Sequence, residues 1–321
     1  MIQSHAATGA ALLDIEQDDQ SSPIPGGVRE STRLNRRHAV ERVIDTMQER
    51  VAEPLSLVEM ARIAMFSPYH FHRMFRCVTG LPPAQFLSAV RMATACRLLL
   101  TTQMRVTEVC YEVGFGSLGT FTTRFGRLVG APPQHLRWLA ARHADRPLAT
   151  IVAPWDARAQ PRPAVTGWID TPRDRGCIAT LGLFTGDCPQ GLPIACTVVR
   201  GPGPFSFGPV PEGRYSVLAA GFPAVTVIEA TLLERSRLLV GMLAEPIMCR
   251  PHVPVVIHLA MRTASIVDPP IVLAAPLLLA ELAGIANTRQ VTAASPAPRR
   301  AKVEHALRRG DDRRVALPGE G

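Results

Sequence analysis

The chain has 321 residues, 47% hydrophobic, 5% aromatic and 19% charged, with a formal net charge of +8. That length allows two domains plus tails, and the composition is that of an ordinary folded, soluble chain. It excludes a bilayer-spanning helix: the longest apolar run, Ile271 to Ala280, falls short of the roughly 20 residues required and contains Pro276. The start of the chain lacks a charged segment followed by an apolar core, so no secretory signal is expected. Seven cysteines, at 77, 96, 110, 177, 188, 196 and 249, show no CxxC and no paired spacing, which points to free thiols in a reducing cytoplasm.

Residues 1–35 are polar and small, with Ser21-Ser22-Pro23 and Pro25-Gly26-Gly27, and are expected to be a disordered tail. A first helix is predicted from about Arg37 to Val51, with Val40, Val43, Ile44 and Met47 as its core stripe. Pro54 separates it from a stretch that says nearly the same thing twice. Leu57, Glu59 and Ala61 match Val106, Glu108 and Cys110 at an offset of 49 residues. Ser67, Phe71, Phe75, Gly80 and Pro83 match Ser117, Phe121, Phe125, Gly130 and Pro133 at 50. The extra residue falls between two helices, where an insertion costs least. Repeated helix–turn–helix units account for this pattern.

Each copy carries the same physics. A short apolar-periodic helix ends in a turn, and in the second copy that turn contains Gly114 and Gly116, which tolerate positive φ. Ser67 and Ser117 stand at N-cap positions, and Pro68 follows at the first helical position. Phe71, Met74, Phe75 and Val78 then form one stripe, while Tyr69, His72, Arg73 and Arg76 face the other way. In the second copy Phe121, Phe125 and Leu128 form the stripe, while Gly119, Thr122, Thr123 and Arg127 face away. A short helix with one aromatic buried side and one basic or hydrogen-bonding side suits a major groove. Between the copies Pro83 opens a connecting helix to about Thr101, with Phe86, Val90, Ala93, Leu98 and Leu100 as its expected stripe.

Charge follows the repeat. Residues 60–107 contain six Arg and no acid, residues 113–144 four Arg and no acid, and residues 36–143 carry +7, from 14 Arg less 7 acids. A basic stretch coincident with the repeated motif is the footprint of phosphate binding.

With Arg91, Ala95, Leu98 and Leu99 ahead of it, the second copy supplies Val113, Gly114, Phe115, Ser117, Phe121, Phe125, Gly130, Pro133 and Arg137. This series resembles the DNA-binding domain of AraC/XylS-type regulators, with Cys110 where that family usually has Ala and Leu136 where it usually has Tyr. The resemblance covers about a third of the chain. It implies a sequence-specific transcription regulator that sets two recognition helices in successive major grooves of double-stranded DNA. It also implies RNA polymerase as a protein partner, with room for a small-molecule effector, in the cytoplasm at the nucleoid. The family more often places its sensor first; here the order is reversed.

From about Leu148 proline and glycine rise, and strand-length runs appear at Ile178–Phe184, Ile194–Val199, Tyr215–Ala219, Ala224–Ile228 and Val255–Leu259. They suggest a small β-sandwich. The turn Val210 to Tyr215, feeding a strand, vaguely resembles transthyretin-like regulatory modules. Trp155, Trp168, Phe205, Phe207 and Tyr215 are expected in the sandwich core rather than around an effector pocket. Pro276 to Ile285 reads equally as helix or strand, and the tail from Asn287 is expected to be disordered, with Lys302–Arg309 transiently helical.

No catalytic arrangement stands out: there is no G-x-S-x-G, Walker loop or HExxH. Cys249, His252 and His258 lack a fourth ligand and do not read as a metal site. Cys77 reads as a partly buried, inert thiol. The expected protein is an α+β multidomain chain without cofactor, catalytic residues or metal. It comprises a tail (1–35), an all-α double helix-turn-helix domain (36–143), a β-rich, sandwich-like domain (148–285) and a second tail (286–321). The eight DNA-contact candidates are Tyr69, His72, Arg73, Arg76, Gly119, Thr122, Thr123 and Arg127. The rival reading is an enzyme or ligand-binding β-domain tethered to DNA by the helices, and a further one a low-specificity architectural DNA binder.

Overall fold

Helical periodicity carries the first half of the chain and strand alternation the second. In the computed structural model, residues 3–5, 26–143, 145–152, 164–172, 176–185, 192–271 and 278 are described. The helical half comprises α1 (Gly26–Glu49), α2 (Leu57–Ala64), α3 (Pro68–Thr79), α4 (Pro83–Thr101), α5 (Val106–Glu112), α6 (Leu118–Val129) and α7 (Pro133–His143), followed by the short α8 (Leu148–Val152). Residues 26–35, expected in the tail, belong to α1. Its second half buries Val40, Val43, Ile44 and Met47 completely, and that packed stripe anchors a helix that runs on toward its N-terminus.

Two apolar cores fill the helical half. The first gathers Val40, Val43, Ile44 and Met47 of α1 with Met60, Ala61 and Ala64 of α2, Phe71, Met74 and Phe75 of α3, and Phe86, Leu87 and Val90 of α4. The second gathers Met92, Ala95, Cys96 and Leu99 of α4 with Val109 and Cys110, Phe121, Phe125 and Leu128, and Leu136 and Leu139. The single stripe expected for α4 is therefore wrong in its second half: Met92, Ala95, Cys96 and Leu99 are buried, while Ala93, Leu98 and Leu100 are only partly so. The helix serves two cores on different sides, so its apolar surface is not one stripe. Cys110 and Leu136, the two departures from the family pattern, are fully buried.

The β-rich half contains β2 (Val165–Asp170), β3 (Cys177–Thr185), β4 (Ala195–Arg200), β5 (Gly203–Phe207), β6 (Gly213–Pro223), β7 (Leu239–Met242), β8 (Ile247–Cys249), β9 (Val255–Ala260) and β10 (Arg262–Thr263). With β1 (Gln3–His5) they form two sheets among the described residues. One has the order β1-β9-β2-β5; the other runs β10-β7-β6-β3-β4, with β8 also paired to β6. Alternate residues of both sheets meet in one core: Val165, Ile169, Phe205, Phe207, Val255, Ile257 and Leu259 from one side, Ala179, Leu181, Leu183, Val217 and Ala219 from the other. The pairs β2–β9 and β1–β9 are parallel, so the first sheet is mixed, unlike an all-antiparallel sandwich. The other face of β3 packs Ile178 against Leu148, Phe222, Leu238 and Val240, which explains why the strand reads as a continuous apolar run.

Ala224–Ile228, expected as a strand, is instead a turn that enters α9 (Ile228–Leu233). Thr226 N donates to Pro223 O at 2.9 Å, and Val227, the N-cap, makes only an isolated bridge to Pro147. The turn before β6 is closed by Tyr215, whose hydroxyl donates to Pro211 O at 2.8 Å. Phe205, Phe207 and Tyr215 are core residues as expected, but Trp168 lies 47% exposed on the outer face of its sheet, at an outward position of β2. Its indole Nε1 donates to Asp170 at 3.0 Å. Trp155, most of Pro276–Ile285 and the tail from 287 lie outside the described residues. The described residues belong to one compact unit. Among the described residues no helix is long and apolar enough to cross a membrane.

Candidate nucleic-acid interface

Caps and turns hold the short helices of the candidate interface. Ser56 and Glu59 close a capping box on α2: Glu59 N donates to Ser56 Oγ at 3.2 Å, and Ser56 N donates to Glu59 Oε2 at 2.9 Å. Donation to the carboxylate from Ser56 N, and from Ser56 Oγ at 3.0 Å, holds the Glu59 carboxyl below its ordinary pKa. The turn that follows places Met65 in the left-handed region, at φ 65°. In the second motif Gly114 occupies the matched place at φ 77°, while Gly116 does not need positive φ. A side chain at Gly114 would put its Cβ 2.5 Å from Ala52 O, so this position is glycine for want of room as well as for its backbone angle.

Ser67 and Ser117 stand at the N-cap positions of α3 and α6 as expected. Ser117 Oγ accepts from Thr120 N at 3.4 Å, whereas Ser67 makes no side-chain cap bond and leaves the start of α3 to Pro68. The aromatic stripes are fully buried. Phe71 and Phe75 pack at 5.4 Å between centroids, Phe75 meets Phe86 edge-on, and Phe121 packs on Phe125 and Phe115 at 5.5 Å. With their inner sides fixed, α3 and α6 present their outer sides to solvent.

On α3 that outer side carries Tyr69, His72, Arg73 and Arg76, all exposed, and together with Cys77 they line one open concavity. Cys77, expected to be partly buried, is exposed because it falls outside the Phe71–Phe75 stripe. On α6 Gly119, Thr123 and Arg127 are exposed. Thr122 is only half-exposed, and its hydroxyl is turned back onto its own helix, 2.9 Å from Leu118 O and 3.1 Å from Gly119 O.

Two further arginines of the sequence pattern face inward. Arg91 of α4 donates to Val51 O at 3.0 Å, Glu53 O at 2.7 Å and Gly114 O at 3.3 Å, joining the end of the first helix to the turn of the second motif. Arg137 likewise donates to Leu99 O and Met104 O, at 3.1 and 2.8 Å, and closes the end of α4. Burial, and then the charge of Arg124, push the Arg91 guanidinium below its ordinary pKa.

Arg124 is a residue that the periodicity missed. It stands 50 positions after Met74, a core residue, and its Nε is buried without a hydrogen-bond partner. An arginine at a core-phase position was the available signal. On α7 the sequence also missed Trp138, half-exposed, stacked on His135 and lying under Arg142, a trio spaced three and four residues apart.

Cys249, His252 and His258 do not converge. Cys249 is buried, His252 sits in a turn at φ 61°, and His258 Nε2 lies 2.7 Å from Asp170. Among the described residues no three His, Cys, Asp or Glu side chains gather as metal ligands. Burial pushes the Cys96 thiol up to about 12 and Cys177 to about 11, so neither is a nucleophilic thiolate at neutral pH.

A family model described as "Helix-turn-helix domain" matches residues 60–138. The HTH-type transcriptional regulator GlxA of Rhizobium meliloti (strain 1021) is 34% identical over 95 residues, covering 30% of this chain and 29% of that protein. The HTH-type transcriptional activator RhaS of Enterobacter sp. (strain 638) is 30% identical over 118 residues, 37% of this chain and 40% of that protein. The solved DNA-binding domain of AdpA, in complex with a target DNA, is 32% identical over 32% of this chain and 95% of that one, with a TM-score of 0.31. The chain thus spans less than half the length of these two curated relatives. Residues 60–138 are a helix-turn-helix domain of the AraC type, built on two matched motifs.

Proposed function

We propose that the chain is a sequence-specific DNA-binding transcription regulator that sets α3 and α6 in successive major grooves. The observation that carries this reading is the division of each helix: fully buried phenylalanines on one side, exposed basic or hydrogen-bonding positions on the other, in a net-positive stretch. Arg73 and His72 read base edges, with Tyr69 beside them, while Arg76 and Arg127 hold phosphates. On α6, Gly119 and Thr123 allow close approach, and Thr122, its hydroxyl engaged by the backbone, offers its methyl. The names of the relatives, regulators and activators of transcription, support the same role. RNA polymerase is the protein partner expected of an activator, and a small-molecule effector would act through the β-rich half. The site of action would be the cytoplasm, at the nucleoid, and the chain would have no catalytic role.

The test is binding to a cognate site and to its single-base variants across a salt series. Arg73→Ala is expected to cost about 1–3 kcal/mol at the cognate site and to relax preference at one base pair. Arg76→Ala is expected to weaken all duplexes about equally and to flatten the salt dependence by about one unit. An unchanged ranking of site variants with Arg73→Ala would refute base reading by that residue.

A further inference from the structure

The two motifs have separate cores, and α4 passes from one to the other in mid-helix: Phe86, Leu87 and Val90 serve the first, Met92, Ala95, Cys96 and Leu99 the second. Arg91 sits at the handover, bonded to three carbonyls from both sides. Within the helical half, α4, the Arg91 guanidinium and the packing of the Gly114 turn on Ala52 tie the two motifs together. The β-rich half adds a second connection. Ile228, the first residue of α9, is fully buried in the core of the second motif. Val267, in the turn after β10, is buried in the core of the first, with Ile266 packed beside it. Nearby, Arg37 Nη2 of α1 donates to Ser265 Oγ at 2.8 Å.

The segments that hold these two plugs are themselves tied together. Arg235, just after α9, donates to Ser265 O at 2.9 Å and to Asp268 O. Asp268 accepts from Ser265 N at 2.6 Å and pairs with both terminal nitrogens of Arg262 at 2.7 and 2.6 Å. Ala264 N donates to Leu238 O at 2.9 Å. A hydrogen-bonded strut therefore runs from the plug in one core to the plug in the other.

We infer that Ile228 and Val267 are positioning residues through which the β-rich half braces the two motifs, fixing the separation and angle of α3 and α6 and so the half-site spacing that the protein accepts. The spacing consequence rests on the DNA-binding reading; the brace itself does not. Two binding elements held rigidly gain avidity only on DNA that matches their geometry, whereas loosened elements tolerate mis-spaced sites at the expense of peak affinity.

The experiment uses the full chain with spin labels on Cys77 of α3 and on a cysteine introduced by Thr123→Cys in α6, with Cys188→Ser and Cys196→Ser. Dipolar spectroscopy without DNA should give one narrow distance distribution in this parent, and a distribution about twice as wide once Ile228→Ala and Val267→Ala are added. In parallel, unlabelled proteins are titrated with duplexes carrying one or two extra base pairs between the half-sites. The wild type should lose about tenfold or more per inserted base pair, and the double variant less than about threefold. If the double variant does not fold, Ile228→Val and Val267→Ala taken singly should each widen the distribution. Equal widths in folded variants would overturn the brace. Widening with an unchanged spacing penalty would overturn its role in site choice, and absence of any site preference in the wild type would refute the DNA-binding reading and leave the distance result standing.

Discussion

At the turn of the first motif the left-handed residue is Met65, 84% exposed; at the matched turn of the second it is Gly114, pressed against Ala52 O. One helix later the pair is Met74, buried in its core, against Arg124, whose Nε is buried without a partner. The same fold unit thus meets its two difficult positions with opposite choices. Where the turn faces solvent, a left-handed methionine is tolerated as modest strain. Where the turn docks on the backbone just after α1, a Cβ does not fit. What the two motifs share is the phenylalanine pair; what differs is how much the neighbouring elements, chiefly Arg91 and the end of α1, press on each.

The largest effects should fall on the shared part. Phe75→Ala and Phe125→Ala are each expected to cost about 3–5 kcal/mol, because both rings are fully buried. Denaturant titrations of the two variants should agree to within about 1 kcal/mol, since they empty matched positions. A cost confined to one motif would break the equivalence.

The turns should then separate the motifs. Gly114→Ala combines a left-handed backbone with a backbone clash and is expected to cost about 2–4 kcal/mol. Met65→Gly relieves strain and should stabilise by about 0.5–1 kcal/mol. If thermal unfolding showed a stabilised Gly114→Ala, the crowding at Ala52 would not exist in solution.

A smaller gain is expected of Arg124→Met, which gives the second motif the residue of the first and removes an unpaired buried donor, worth about 1 kcal/mol. The urea midpoint should rise with an unchanged m-value. A lower midpoint would mean that the guanidinium is satisfied in solution, or that its stem packs better than methionine does.

These contrasts also mark how far the sequence could be read. The motif boundaries, the N-cap serines, the phenylalanine stripes and the outward phase of Tyr69, His72, Arg73 and Arg76 follow from local periodicity, and a repeat states them twice. Arg124 did not, because its charge hides a core-phase position. The face of α4 did not, because a helix that serves two cores has no single stripe. Val227 and Ile228 read as strand because β-branched residues favour strands wherever they stand; docking on the helical half makes them the start of α9 instead. The parallel pairing of β2 with β9 joins residues about 90 positions apart, beyond the reach of any local pattern.

The sharpest test is selection of duplexes from a random library by the full chain. Long side chains on α3, against Gly119, an inward-bonded Thr122, Thr123 and Arg127 on α6, should yield one half-site of strong preference over about four base pairs. The second half-site, roughly 10 base pairs away, should be weaker and T-rich or read through DNA shape. Two equally sharp half-sites, or sequence information confined to the half-site of α6, would contradict it.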